Sequence, residues 1–425
     1  MFLHRFGFRE PEESRHPFEG DPSLHPPVAA LRHGTVDAYA AIKPLAPDEP
    51  LTIAALFRQG TSMRDRVKRI FRNVDDGLDL IVFLNSVEPH IDMSFFYATG
   101  LTDGLFEGCA AWLTPDGGCQ ITTSALEEEA AKKSGLPLRV FQTRDESTEH
   151  MRDLLRGHRR IGVNASELTH AAFERLRKLA PKSARFVDVS DSVVKARLVK
   201  DAKELEFIQR ACDIASQSFQ DLLPFIQPGV TEAEVAAELV YRMQRNGATG
   251  PSFRTIVGSG PNSAVPHYTA GPRKIQGGDM IVIDFGALYR MYCSDVTRTV
   301  VVGKASDEQR AMHSTVARAQ AAALAKMRPG VRGKAVDAAA RRLIDGTKYK
   351  GRFIHGLGHS IGLAVHDGGA LNPSTDVVLR PNMVFTNEPG VYVPGFGGVR
   401  IEDDVLIGRR GPTYMSTAPR DLIEL

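Results

Sequence analysis

A chain of 425 residues, 42% hydrophobic and 24% charged, carries enough apolar surface for two or three cores and too much to stay disordered. Its formal net charge of +2 gives no electrostatic case for nucleic acid or an anionic membrane. No apolar run is long enough for a membrane span, and Met1-Phe2-Leu3-His4-Arg5 has no signal-peptide core. Cys109, Cys119, Cys212 and Cys293 follow neither a metal nor a secreted-disulfide spacing, so a cytoplasmic protein with free thiols is expected.

Residues 1–61 are rich in proline (Pro11, Pro17, Pro22, Pro26, Pro27, Pro44, Pro47, Pro50) and read as an irregular extension with short helices near 36–42 and 52–57. It is either a partner contact or a loosely packed arm. From 62 to 196 helical and strand patterns alternate. An amphipathic helix over 63–71 is followed by a strand at 79–84, a strand pair at 110–113 and 120–123 around Pro115-Asp116-Gly117-Gly118, and strands at 160–163 and 186–189. That alternation predicts an α/β layer. Phe95, Phe96, Tyr97 and Trp112 are candidates for an entrance or interface, with core packing the better reading. A long helix is expected to open at Arg197, the charges of Arg197 to Glu204 forming a solvated face.

The third segment, 197–425, shows a faint internal echo. Gln227-Pro228-Gly229-Val230 precedes a helical stretch with Val235, Ala236 and Leu239, and Arg328-Pro329-Gly330-Val331 precedes another with Val336, Ala339 and Leu343. Thr231 and Glu234 have capping-box spacing. Each half reads as helix, Pro-Gly-Val turn, helix and strands, which suggests a duplicated domain with its site at the seam.

Those strands carry the chemistry. Asp284, Asp295, Glu388 and Glu402 each sit inside an apolar, strand-like run, where an unpaired carboxylate costs several kcal/mol. Singly, each reads as a strand-end salt-bridge partner. As a set with His359 of Gly358-His359-Ser360, they match two divalent cations in charge, four negative against four positive. An oxygen-rich set with one imidazole and no thiolate favours manganese, with cobalt or zinc as alternatives. Two hairpins would converge the acids: one turning within 286–290 and setting Asp284 opposite Asp295, the other turning around 394–398 and uniting Glu388 with Glu402.

With these motifs the region from about 197 onward resembles the pita-bread metallopeptidases, the family of aminopeptidase P, prolidase and methionine aminopeptidase. The matching blocks are Val282-Ile283-Asp284-Phe285-Gly286, Ser294-Asp295-Val296-Thr297-Arg298-Thr299, Gly356-Leu357-Gly358-His359-Ser360-Ile361-Gly362, Asn387-Glu388-Pro389-Gly390-Val391-Tyr392 and Gly398-Val399-Arg400-Ile401-Glu402-Asp403. The resemblance implies a pseudo-two-fold pita-bread domain behind a smaller creatinase-type α/β domain, and a homodimer. It implies two divalent ions on Asp284, Asp295, His359, Glu388 and Glu402. Glu388 would shuttle a proton and His366 stabilise the tetrahedral oxygen, with His267 a further catalytic candidate. His267, His355, His366, Tyr392 and Arg400 would form the substrate pocket.

These accessory residues match the proline-directed branch, so the expected activity is an Xaa-Pro aminopeptidase acting on peptides with proline second. The alternatives are a prolidase cutting only Xaa-Pro dipeptides, and an inactive binding protein of the same fold. Arg400 is expected either to touch substrate or to neutralise Asp403 or Asp404.

Overall fold

The computed structural model describes residues 62–74 and 77–425. The predicted extension over 1–61, with its two short helices, lies outside the described residues.

The amino-terminal layer is a six-stranded sheet: β1 (Leu80–Leu84), β2 (Ala110–Leu113), β3 (Cys119–Ser124), β4 (Leu138–Phe141), β5 (Arg160–Val163) and β6 (Arg185–Asp188). They lie in the order β4-β3-β2-β1-β5-β6. Central β1 runs antiparallel to β2 and parallel to β5. All five of its residues are buried because both faces of the sheet are covered. Ile81 and Phe83 pack with Val67, Ile70 and Phe95 on one side. Leu80, Val82 and Leu84 pack with Met151, Leu155 and Leu176 on the other. A strand covered on both faces reads as a continuous apolar run, which is why LIVFL stands out in the sequence. Phe95, Phe96, Tyr97 and Trp112 are all buried, so they belong to the core and not to an entrance.

The junction differs from the expectation. A helix over Ser190–Leu198 ends before Ala202–Leu222 begins, and Asp201 caps the second helix by accepting from the amides of Lys203 and Glu204. Most of the expected solvated face is buried: Lys200, Asp201 and Glu204 are 1%, 4% and 1% exposed, and of these charges only Lys203 stands in solvent.

The second layer has the duplicated plan. The helices Ala202–Leu222 and Glu232–Arg245 form one pair, Asp307–Leu324 and Gly333–Asp345 the other. Thr231 and Glu234 make the predicted capping box. In the first half Gly229 takes φ 98°, and its amide donates to Ile275 O while Ile275 N donates back to Val230 O. In the second, Gly330 takes φ 87°, its amide donates to Leu379 O and Leu379 N donates to Val331 O. Asp284 lies nine residues beyond Ile275, and Glu388 nine beyond Leu379, so the echo seen in the sequence extends to the acids. Each half has its own core, one around Phe219, Leu239 and Ile283, the other around Val316, Ile344 and Phe385.

The strand that carries Asp284 leaves no room at Gly286. A Cβ there would meet the main-chain oxygen of Ser294 at 1.8 Å. Gly286→Ala is expected to destabilise the protein by about 2–3 kcal/mol through backbone displacement, read as a lower denaturant midpoint with an unchanged slope.

Candidate metal centre

The strand Met280–Phe285 pairs antiparallel with Val296–Val301. The segment expected to turn, 286–290, is mostly strand: Ala287–Tyr289 pairs with Tyr292–Cys293. The chain reverses at Arg290 and Met291, whose φ values are 49° and 71°, the positive pair of a two-residue hairpin loop. That tip sets Asp284 opposite Thr297 and not opposite Asp295. Asp295 is two residues before Thr297, so the slip preserves the face and the two carboxylates are diagonal neighbours.

The second hairpin keeps its predicted register. Asn387 faces Asp403 and Gly390 faces Arg400, which brackets Glu388 opposite Glu402. The two hairpins meet where Glu402 N donates to Thr297 O at 3.1 Å. His359 enters from the strand Gly358–His359, with its amide on Thr386 Oγ1 at 3.0 Å.

These elements bring Asp284, Asp295, His359, Glu388 and Glu402 to the wall of one cavity of about 350 Å³. One oxygen each from Asp295 and Glu402 and one imidazole nitrogen of His359 lie within 4.8 Å of one another. The His359 Nδ1 faces the carbonyl of Ser360 at 3.4 Å, which can only accept. Nδ1 therefore carries the proton of the neutral ring, whose pKa burial and His366 lower to about 4. The Nε2 lone pair then points at Asp295 Oδ2 and Glu388 Oε1, at 3.5 and 3.6 Å. A lone pair set against carboxylate oxygens is a repulsive arrangement unless a cation lies among them or, in the metal-free protein, a proton on the acids takes its place.

The carboxylates agree. Asp284 Oδ1 and Asp295 Oδ1 are buried with no hydrogen-bond partner. Burial, followed by the neighbouring acids, pushes Asp295 and Glu402 well above the usual carboxyl range. Burial also drives Glu388 up to about 8. The donor set fits divalent cations.

The accessory residues divide in two. His267, His355, His366 and Arg400 line the same cavity, beside an apolar wall of Phe253, Ile256, Pro266 and Val365. Tyr392 lies behind His355 and Arg400. Its hydroxyl accepts from Arg400 Nη1 at 2.9 Å and donates to His355 Nε2 at 2.9 Å, because His355 Nδ1–H is committed to Gly356 O at 2.8 Å. Arg400 neutralises neither Asp403 nor Asp404. It is ion-paired with Asp284 itself and donates through Nε to Thr297 Oγ1 at 3.0 Å. Asp403 is taken by Arg298 and Arg420, each at 2.7 Å.

Two contributors escaped the sequence reading. Thr297 donates to Glu402 Oε2 at 2.6 Å and accepts from Arg400 Nε, whose guanidinium pairs with Asp284, so it aims Glu402 directly and Asp284 through Arg400. Asp404 accepts the amide of Asp295 at 2.9 Å and the thiol of Cys212 at 3.2 Å, and burial pushes it up to about 7. The position of Thr297, two residues from an acid in a strand, was the available signal.

Comparison with known proteins places residues 206–409 in a model described as metallopeptidase family M24, and residues 70–199 in one described as the creatinase/prolidase N-terminal domain. The chain is 35% identical over 362 residues to the Xaa-Pro dipeptidase of Pyrococcus horikoshii, covering 85% of this chain and 99% of that one. The structure of an Xaa-Pro dipeptidase from Bacillus anthracis superimposes with a TM-score of 0.78 at 34% identity, over 86% of this chain and 100% of its own. The structure of an X-Pro aminopeptidase from Thermotoga maritima gives 0.77 at 35% identity, over 84% and 100%. Among the described residues no helix is long and apolar enough to cross a membrane.

Proposed function

Since the chain belongs to metallopeptidase family M24, we propose that it is an Xaa-Pro dipeptidase, hydrolysing the bond between a residue and a carboxy-terminal proline. The observation that carries the metal-dependent part is the bare His359 Nε2 facing Asp295 and Glu388. The dipeptide part is supported by the Pyrococcus and Bacillus relatives. The aminopeptidase reading that the sequence favoured is the second one, supported by the Thermotoga structure.

Asp284, Asp295, His359, Glu388 and Glu402 are proposed to hold two divalent cations, manganese first and cobalt or zinc as alternatives. When bound, the cations supply the acidity that makes hydroxide available at neutral pH and the charge that polarises the scissile carbonyl. The chain's own residues do the rest. Glu388, at the inner wall between His355 and His359, accepts the proton of the attacking water and returns it to the leaving nitrogen. His366 stands on the cavity wall with burial lowering its pKa, so at neutral pH its imidazole donates a hydrogen bond as an uncharged group to the oxygen that gains charge.

A bond before proline has no amide hydrogen for a general protease to grip. Here the ring is held by shape, between His267, His355 and the wall of Phe253, Ile256 and Pro266. The Arg400–Tyr392–His355 chain locks the His355 ring, so that face of the pocket is rigid before substrate arrives.

Metal-loaded protein assayed on an Xaa-Pro dipeptide, an Xaa-Pro-Xaa tripeptide and an Xaa-Ala dipeptide is expected to turn over the first and leave the other two at least about 10²-fold behind in kcat/KM. Equal turnover of the tripeptide moves the assignment to aminopeptidase. A purified protein that holds no divalent ion and stays inactive after manganese is added would point to a binding module and end the hydrolase reading.

A further inference from the structure

His366 lies on the loop that leaves His359 and returns at Ala370. Its neck is closed by the amide of Asp367 on Ser360 O at 2.8 Å and the amide of Ser360 on Gly369 O at 3.2 Å. Asp367, next to His366 but turned away from the cavity, is 4% exposed. One of its oxygens is ion-paired with Arg197, and the other accepts from Lys200 Nζ at 2.7 Å. The Lys200 side chain is fully buried, and its ammonium also donates to Arg197 O at 2.7 Å.

The two cations come from the seam between the layers: Arg197 from the amino-terminal side, and Lys200 from the junction that follows it, where its amide donates to Asn382 O at 2.8 Å. Arg197 is on the last helix of the amino-terminal layer, which Tyr97 ties down through its hydroxyl on Ala196 O at 3.1 Å and Arg69 through Nη1 on Val199 O at 2.6 Å. Arg197 Nη1 further reaches Ser94 Oγ at 3.4 Å. Gly362 supplies an independent sign that this contact shaped the loop: a Cβ there would lie 2.1 Å from Asp367 Oδ2 and 2.7 Å from Lys200 Nζ. The loop thus closes onto the ion cluster with no space to spare.

Buried ion pairs are poor stabilisers compared with packed apolar groups of the same volume, because desolvation offsets most of the attraction. What they supply is direction, and the direction here is that of the segment carrying His366. We propose that Arg197 and Lys200 are positioning residues of the active site. By holding both oxygens of Asp367 they fix His366 over the metal centre, so the amino-terminal layer sets the geometry of catalysis in the second layer. The inference rests on the role given to His366 above.

The test is a double-mutant cycle on the full-length, metal-loaded protein. Asp367→Asn keeps the shape and removes the charge. It is expected to lower kcat on an Xaa-Pro dipeptide by about 10²-fold, the scale of a small misplacement of a reacting group, with KM changed by less than about threefold. In a His366→Ala background the same substitution should lower kcat by less than about threefold, because the group it positions is already gone. A purely structural role gives losses that multiply, and that result, or a single variant with wild-type kcat, overturns the proposal. Should Asp367→Asn fail to fold, Arg197→Lys, which withdraws one contact and keeps the charge, is held to the same criterion.

Histidine-labelled, zinc-loaded protein gives a readout apart from activity. The His366 resonance, identified by its loss in His366→Ala, should move in Asp367→Asn while that of distant His313 stays. An unmoved His366 also overturns the proposal. If the wild-type protein cleaves no Xaa-Pro peptide, the substrate reading fails and this resonance alone decides the positioning role.

Discussion

Replacing His359 by alanine is expected to lower kcat/KM on an Xaa-Pro dipeptide by at least about 10³-fold and to remove bound metal, while leaving the fold intact. The size follows from what a cation contributes to transition-state charge, several kcal/mol, at roughly 1.4 kcal/mol for each factor of ten. The fold should survive because His359 reaches the core through its backbone, by the amide on Thr386 Oγ1, while its ring lies on the cavity wall. The substitution also removes the lone pair that faces Asp295 and Glu388. Metal analysis of the purified variant and steady-state kinetics check this together. A variant that retains full metal content and wild-type kcat/KM removes His359 from the ligand set.

The second large effect is on stability without metal. Burial drives Glu388 from 4.5 up to about 8, and Asp295 and Glu402 move the same way. The unfolded chain releases these protons near ordinary carboxyl values, whereas the folded, metal-free chain keeps them to higher pH. The unfolded state therefore binds fewer protons across the interval, and folding stability falls as pH rises through it. His355 and His359, lowered from 6.5 to about 4 by burial, act in the opposite sense, but only below pH 6.5, where the unfolded chain takes up protons the folded chain refuses. The clean window is therefore pH 6.5 to 8.

Across that window Glu388 alone removes about 2 kcal/mol, a large part of a typical stability of about 5–15 kcal/mol, with Asp295, Glu402 and Asp404, raised to about 7, adding in the same direction. Bound divalent metal neutralises the first three carboxylates, so the loaded protein should show much less of this slope. Denaturant melts of chelated and metal-loaded protein at the two pH values make the comparison. Equal stability of the chelated protein at pH 6.5 and 8 sinks the picture of acids held protonated by burial.

Both predictions depend on residues that could be picked out before any fold was known, and the reason is physical. An acid within an apolar, strand-like run contradicts its surroundings, and Asp284, Asp295, Glu388 and Glu402 all do so. The Pro-Gly-Val turns gave away the duplication because Gly229 and Gly330 occupy left-handed conformations that the main chain at those turns requires. The apolar run of β1 and the helix and strand alternation through 62–196 gave the first layer, since covering both faces of a sheet leaves a local mark on the chain.

What the sequence could not reach was set by contacts between distant segments. The register of the first hairpin lies two residues from the expected one because it depends on where the loop tips over, at Arg290 and Met291, and neither is a residue that announces a positive φ. Of the two roles expected for Arg400, neutralising Asp403 or Asp404 fails: those acids lie close in sequence, whereas its partner Asp284 is 116 residues away. The charges from Arg197 to Glu204 looked solvated because charge along a helix has the same pattern whether water or another layer covers it. Only the packing of the two layers decided that all of them but Lys203 are buried, by bringing Arg66 to Asp201 across 135 residues and Lys200 to Asp367 across 167. Local composition fixes which groups a chain must shelter from water, but the partner that shelters each one is a property of the folded whole.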